Sequence, residues 1–101
     1  METTKNTNLA ISLELANIIK QFAKRFQIEI DVTDFASYLK TQCQNALKHF
    51  ITGDMRLEDI AIIIERFEDY SYQLTNRHIE VINEDYFALE DEILFFYNQL
   101  Q

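Results

Sequence analysis

This chain must turn without the two residues that turn most readily: its 101 positions hold one glycine, Gly53, and no proline. Average usage would place roughly seven glycines and five prolines in a chain this long. The shortage excludes whole architectures. A sandwich or barrel of many short strands needs repeated tight turns, and only one residue here takes a positive φ at no steric cost. A phosphate-cradling glycine loop and a nucleophile elbow are excluded on the same ground. With 48% of its residues hydrophobic, the chain is also too apolar for a disordered acidic tail. A single, mostly helical domain over residues 1–101 remains, long enough to bury somewhat more than about 60% of its unfolded surface.

Hydrophobic spacing divides that domain into four helices. In the first, from about Leu9 to Arg25 with Thr7 or Asn8 as N-cap, Ile11, Leu15, Ile18, Ile19, Phe22 and Phe26 draw one apolar stripe. Lys20, Lys24 and Arg25 complement the negative pole at its end. A second helix, capped by Asp31 or Thr33, carries Phe35, Leu39, Cys43, Ala46, Leu47 and Phe50 and stops at Gly53. A third, capped by Asp54, has a stripe of Leu57, Ile60, Ala61, Ile64, Phe67, Ser71 and Leu74. A fourth, capped by Asn83, turns Tyr86, Leu89, Ile93, Phe96, Tyr97 and Leu100 inward. Residues 27–32 alternate apolar and polar, and residues 76–82 could extend the third helix or pair with them as a minor two-stranded element. The expected fold is therefore all-α, a four-helix bundle-like domain with antiparallel neighbours.

Charge is confined to one end of the sequence. Residues 1–53 carry six basic and five acidic side chains, whereas residues 54–101 carry three basic and twelve acidic. The second half thus accounts for the formal net charge of −8 and also holds eight of the thirteen aromatic residues. A negative field repels nucleic acid and anionic membrane and draws in basic partners. The polar start, Met1 to Asn8, has no apolar signal segment, and no unbroken apolar run is longer than the five residues of Ile60 to Ile64. A lone cysteine cannot form an internal disulfide, so a reduced, cytoplasmic protein is the expectation.

Catalysis finds little material here. Cys43 lies on an apolar stripe and reads as an inert buried thiol. His49 and His78 are far apart and belong to no ligand motif. No Glu-x-x-His is present, so neither a metal site nor a cofactor is expected, and we read a non-enzyme. More informative are the residues outside the core stripes. On the third helix Glu58, Ile62, Glu65, Asp69 and Tyr72 fall at steps of three and four. On the fourth, Glu84, Phe87, Asp91, Leu94 and Asn98 repeat the pattern, with Phe95 beside them. Apolar anchors among carboxylates are what an interface with a basic partner requires. A solvated acidic surface with scattered apolar residues accounts for the same spacing.

The segments Leu47-Lys48-His49-Phe50-Ile51-Thr52-Gly53-Asp54-Met55, Ile64-Glu65-Arg66-Phe67-Glu68 and Ile82-Asn83-Glu84-Asp85-Tyr86-Phe87 resemble the small acidic all-α immunity proteins of bacteria, those of the colicin D type above all. The likeness covers about half the chain, and the first helix has no counterpart. It implies a four-helix bundle whose acidic side chains, here Glu65, Glu68, Asp69, Glu84 and Asp85, occupy the basic RNA-binding cleft of a nuclease toxin. The leading expectation is thus an immunity protein with a basic protein partner. Its rivals are a phage or plasmid DNA mimic that blocks a DNA-binding enzyme, and a homodimeric helical adaptor joined through Phe87, Leu94 and Phe95.

Overall fold

The computed structural model describes residues 3–100, with side chains from Leu9 onward. Five helices account for most of it: α1 (Thr3–Ala23), α2 (Val32–Gln42), α3 (Gln44–Thr52), α4 (Leu57–Thr75) and α5 (Asn83–Leu100). The all-α class agrees with the hydrophobic spacing, but the helix number does not. The expected second helix is broken at Cys43, whose φ of −126° and ψ of 42° lie outside the helical range. Neither glycine nor proline is needed for this break. Cys43 N–H still donates to the Leu39 carbonyl at 2.7 Å, and Leu47 N–H donates to the Cys43 carbonyl at 2.9 Å. The stripe Phe35, Leu39, Cys43, Ala46, Leu47 and Phe50 is buried throughout. Periodicity therefore runs unbroken through a bend that lets both halves lie on α1.

Helix ends are set by a few local devices. Asp31 caps α2, accepting from the Asp34 N–H at 3.0 Å. Gly53 ends α3 with φ 82°, and the His49 carbonyl accepts from both Gly53 and Asp54 N–H at 3.0 Å. Three non-glycine residues, Gln27, Asn76 and Asn83, also take positive φ. Their backbones supply the turns that the glycine shortage withholds. Three expected caps are displaced. α1 already runs from Thr3, so Thr7 and Asn8 sit within its backbone, and their side chains lie outside the described residues. α4 starts after Arg56 rather than Asp54, because Asp59 reaches back to accept from the Arg56 N–H at 3.0 Å. At α5 the Ile82 carbonyl accepts from Asp85 and Tyr86 N–H, so Asn83 follows the first acceptor instead of being it.

The core is one continuous apolar cluster. α1 is covered by α2, α3 and α5, and α4 packs on α3 and α2. Phe35 is fully buried between aromatic neighbours, with Tyr70 at 4.7 Å and Phe67 at 6.4 Å between ring centroids. The α4 stripe is rotated from expectation. Ile60, Ile63, Ile64, Phe67, Tyr70 and Ser71 are buried, whereas Leu57, Ala61 and Leu74 are exposed. Five consecutive apolar residues, Ile60 to Ile64, contain both registers, and packing of Ile63 and Tyr70 selects one. Among the described residues there is no strand. Ile28, Ile30 and Val81 are buried from extended connectors, so the alternation at 27–32 reflects one-sided burial without pairing. Among those residues, no helix is long and apolar enough to cross a membrane.

Candidate functional site

The connector 76–82 walls a polar hollow. Asn76, left-handed at φ 59°, ends α4 by donating its N–H to the Tyr72 carbonyl at 2.7 Å. The chain then doubles back along α4. The His78 ring stacks on Tyr72 with centroids 4.6 Å apart, and Val81 N–H donates to Glu68 Oε2 at 2.7 Å. Between this return segment, α4 and the end of α2 lies a cleft of about 520 Å³. Glu65, Arg66, Glu68, Asp69, Tyr72 and Gln73 of α4 line it, with Tyr38 and Gln42 of α2 and His78, Ile79 and Glu80 of the connector. Four carboxylates face one guanidinium there, and Arg66 is itself engaged with Asp69 at 2.7 Å.

Burial, reinforced by crowding of like charge, is visible in the proton affinities. Burial pushes the Glu68 carboxyl above its ordinary range, the Val81 N–H opposes the shift, and Glu80, Asp69 and Glu65 reinforce it. Burial, followed by the Asp69 charge, likewise raises the Tyr38 phenol. Such a cleft suits a cationic side chain. Its carboxylates supply charge-assisted acceptors, and the rings of Tyr38, Tyr72 and His78 offer flat faces for a guanidinium.

The structure gathers only some of the residues singled out from the sequence. Glu65, Glu68, Asp69 and Tyr72 share the cleft. Ile62 is exposed and lines a neighbouring hollow with Arg66, and Glu58 is exposed on the first turn of α4. Glu84 and Asp85 border a separate shallow hollow at the start of α5, where Asp85 pairs with Arg25 at 3.0 Å. Phe87, 62% exposed, and Asp91 stand on the open face of α5. Glu68 has a structural duty as well, because it holds the connector. Sequence reasoning passed over Tyr38, Gln42, His78 and Glu80. The one available signal was Asn76, whose residue type favours a left-handed helix end and hence a reversal that returns His78 to Tyr72.

Other reactive groups are absorbed by the scaffold. Burial raises the Cys43 thiol to about 11, with Arg66 opposing. His49 Nδ1 lies 2.9 Å from Asp59 Oδ2 and joins α3 to α4. Tyr70 donates to Asp34 Oδ2 at 2.6 Å, and burial together with that bond raises its phenol well above the ordinary value. Among the described residues, no group of three or more His, Cys, Asp or Glu side chains is placed to hold a metal ion. Compared with protein-family models, curated proteins and solved structures, the chain matches none of them. The likeness to bacterial immunity proteins rests on the quoted residues alone.

Proposed function

We propose that this protein is a non-catalytic inhibitor of the immunity type, which neutralises a basic nuclease toxin by covering its substrate-binding surface. The observation that carries the reading is the acidic cleft. Glu65, Glu68, Asp69 and Glu80 face one concavity, beside stacked Tyr72 and His78. A nuclease holds the phosphates of its substrate with lysine and arginine side chains, and this cleft offers them carboxylates together with aromatic surfaces that replace bases. Opposite fields would also make the encounter fast at low ionic strength. A phosphate mimic aimed at a DNA-binding enzyme would use the same electrostatics along an extended row, and the grouping in one hollow favours the nuclease reading. Self-association through α5 is disfavoured, because that helix carries carboxylates at 84, 85, 90, 91 and 92 and no basic residue.

The test is affinity capture at low and high ionic strength with mass spectrometry, followed by inhibition of the captured nuclease on its RNA substrate. The expected result is a salt-sensitive basic nuclease, inhibited at equal stoichiometry. Charge reversal at Glu65, Asp69 and Asp91 should leave the fold intact and weaken binding, with the Glu65 and Asp69 changes having the larger effect. Unchanged inhibition by the Glu65→Lys, Asp69→Lys double variant would overturn the reading.

A further inference from the structure

A second hollow has a different character. Between α1 and α5 runs a groove of about 350 Å³ walled by Ile18, Phe95 and Phe96 and rimmed by Glu14, Glu92 and Gln99. Phe95 is 66% exposed, more than any other large apolar side chain among the described residues. Ile18 and Phe96 are half-buried and packed against the core, so the exposed ring stands beside a wall that the fold holds in place. Among the described residues none that lines the groove is basic, and neither Glu14 nor Glu92 has an ion-pair partner.

This combination selects an occupant. A second copy docking through α5 would set five carboxylates against five, with no cation on either α5 and only Asp85 offset, by Arg25. An anionic lipid surface meets the same repulsion. A trough between two helices accepts the ridge of a third, and its charge calls for a cationic one. We propose that this groove docks a cationic amphipathic helix of another protein. The apolar stripe of that helix covers Phe95, and its lysine or arginine side chains, about one turn to either side, meet Glu14 and Glu92. The groove shares no lining residue with the α4 cleft, so the inference stands independently of what the cleft binds.

The experiment titrates the isotope-labelled full chain with a synthetic peptide that has leucines at helical three- and four-residue spacing and lysines on both flanks. Controls replace each lysine by glutamate or scramble the order of the same residues. The lysine peptide should bind, gain helicity, and concentrate chemical-shift changes at Ile18, Phe95 and Phe96. Phe95→Ala should weaken it by at least about thirtyfold, the scale of a central anchor. The Glu14→Lys, Glu92→Lys pair should cost about tenfold and remove most of the salt dependence. Glu65→Lys, in the cleft, should leave it unchanged. Both groove variants alter exposed positions, and thermal melting confirms that each remains folded. Equal binding of the glutamate or scrambled peptide would overturn the proposal, as would shift changes centred elsewhere. So would a dimer of the free protein by light scattering that Phe95→Ala abolishes.

Discussion

Replacing Asp59 by alanine should destabilise this protein more than any other single change of a charged residue. Asp59 is 6% exposed, and one of its oxygens, Oδ2, accepts from the Arg56 N–H at 3.0 Å and lies 2.9 Å from His49 Nδ1. The first contact starts α4, and the second joins α4 to α3. Losing the contact to the first orphan donor of a helix costs about 1 kcal/mol. Losing a part-buried hydrogen bond to a carboxylate costs about 1.5–3 kcal/mol. The sum is roughly 2.5–4 kcal/mol, which for a domain of this size lowers the melting temperature by about 10–25 °C. Urea and thermal unfolding followed by circular dichroism would measure it. Asp59→Asn keeps an oxygen that can accept from Arg56 and should lose less than half as much. His49→Ala removes only the interhelix contact and should cost about 1.5–3 kcal/mol. A loss within about 0.5 kcal/mol of wild type for Asp59→Ala, the range of an ordinary surface change, would refute the reasoning. So would a His49/Asp59 double-mutant cycle with no coupling.

Two further outcomes follow from buried groups. The raised Glu68 carboxyl means that ionisation works against the folded state, so its contribution to stability is greatest when protonated and is lost as pH rises through the raised folded-state value. Glu68→Gln retains an acceptor for Val81 N–H; its stability at neutral pH should equal or exceed wild type, and the gain of stability on mild acidification should shrink in urea titrations across acidic pH. Cys43, with its thiol raised to about 11, should react with a disulfide reagent at pH 8 roughly a hundredfold more slowly than a free cysteine, and the difference should vanish in denaturant. A fast native-state reaction would contradict its burial.

How far the sequence could be read depended on how local the deciding contact was. The stripes of α1 and α2–α3 were legible because helical spacing carries them, as was that of α5 except at Leu100, which is exposed in the last turn where no neighbouring helix covers it. The Gly53 stop was legible because residue type alone favours it. Leu57 and Leu74 were misplaced because α4 has two apolar faces, and only the partners of Ile63 and Tyr70 choose between them. The break at Cys43 left no trace in residue type. At the site, the acidic and aromatic residues of α4 could be identified, but their grouping with Glu80 and His78 could not, since it requires the chain to reverse at Asn76. Phe87 and Asp91, placed by spacing on the same kind of surface, belong to a different helix face.

One glycine, no proline and regular apolar spacing were sufficient to determine a helical domain with an acidic second half. They suffice because turn geometry and helical periodicity act over a few residues and are written in residue type. Tertiary structure decided where that acidity is concave. The cleft exists because Val81 N–H meets Glu68 and His78 stacks on Tyr72, and the groove exists because α1 packs on α5, which brings Glu14 to the same hollow as Glu92 and Phe95. Those contacts join segments that local spacing does not relate, and only the energy of packing the whole core brings them together.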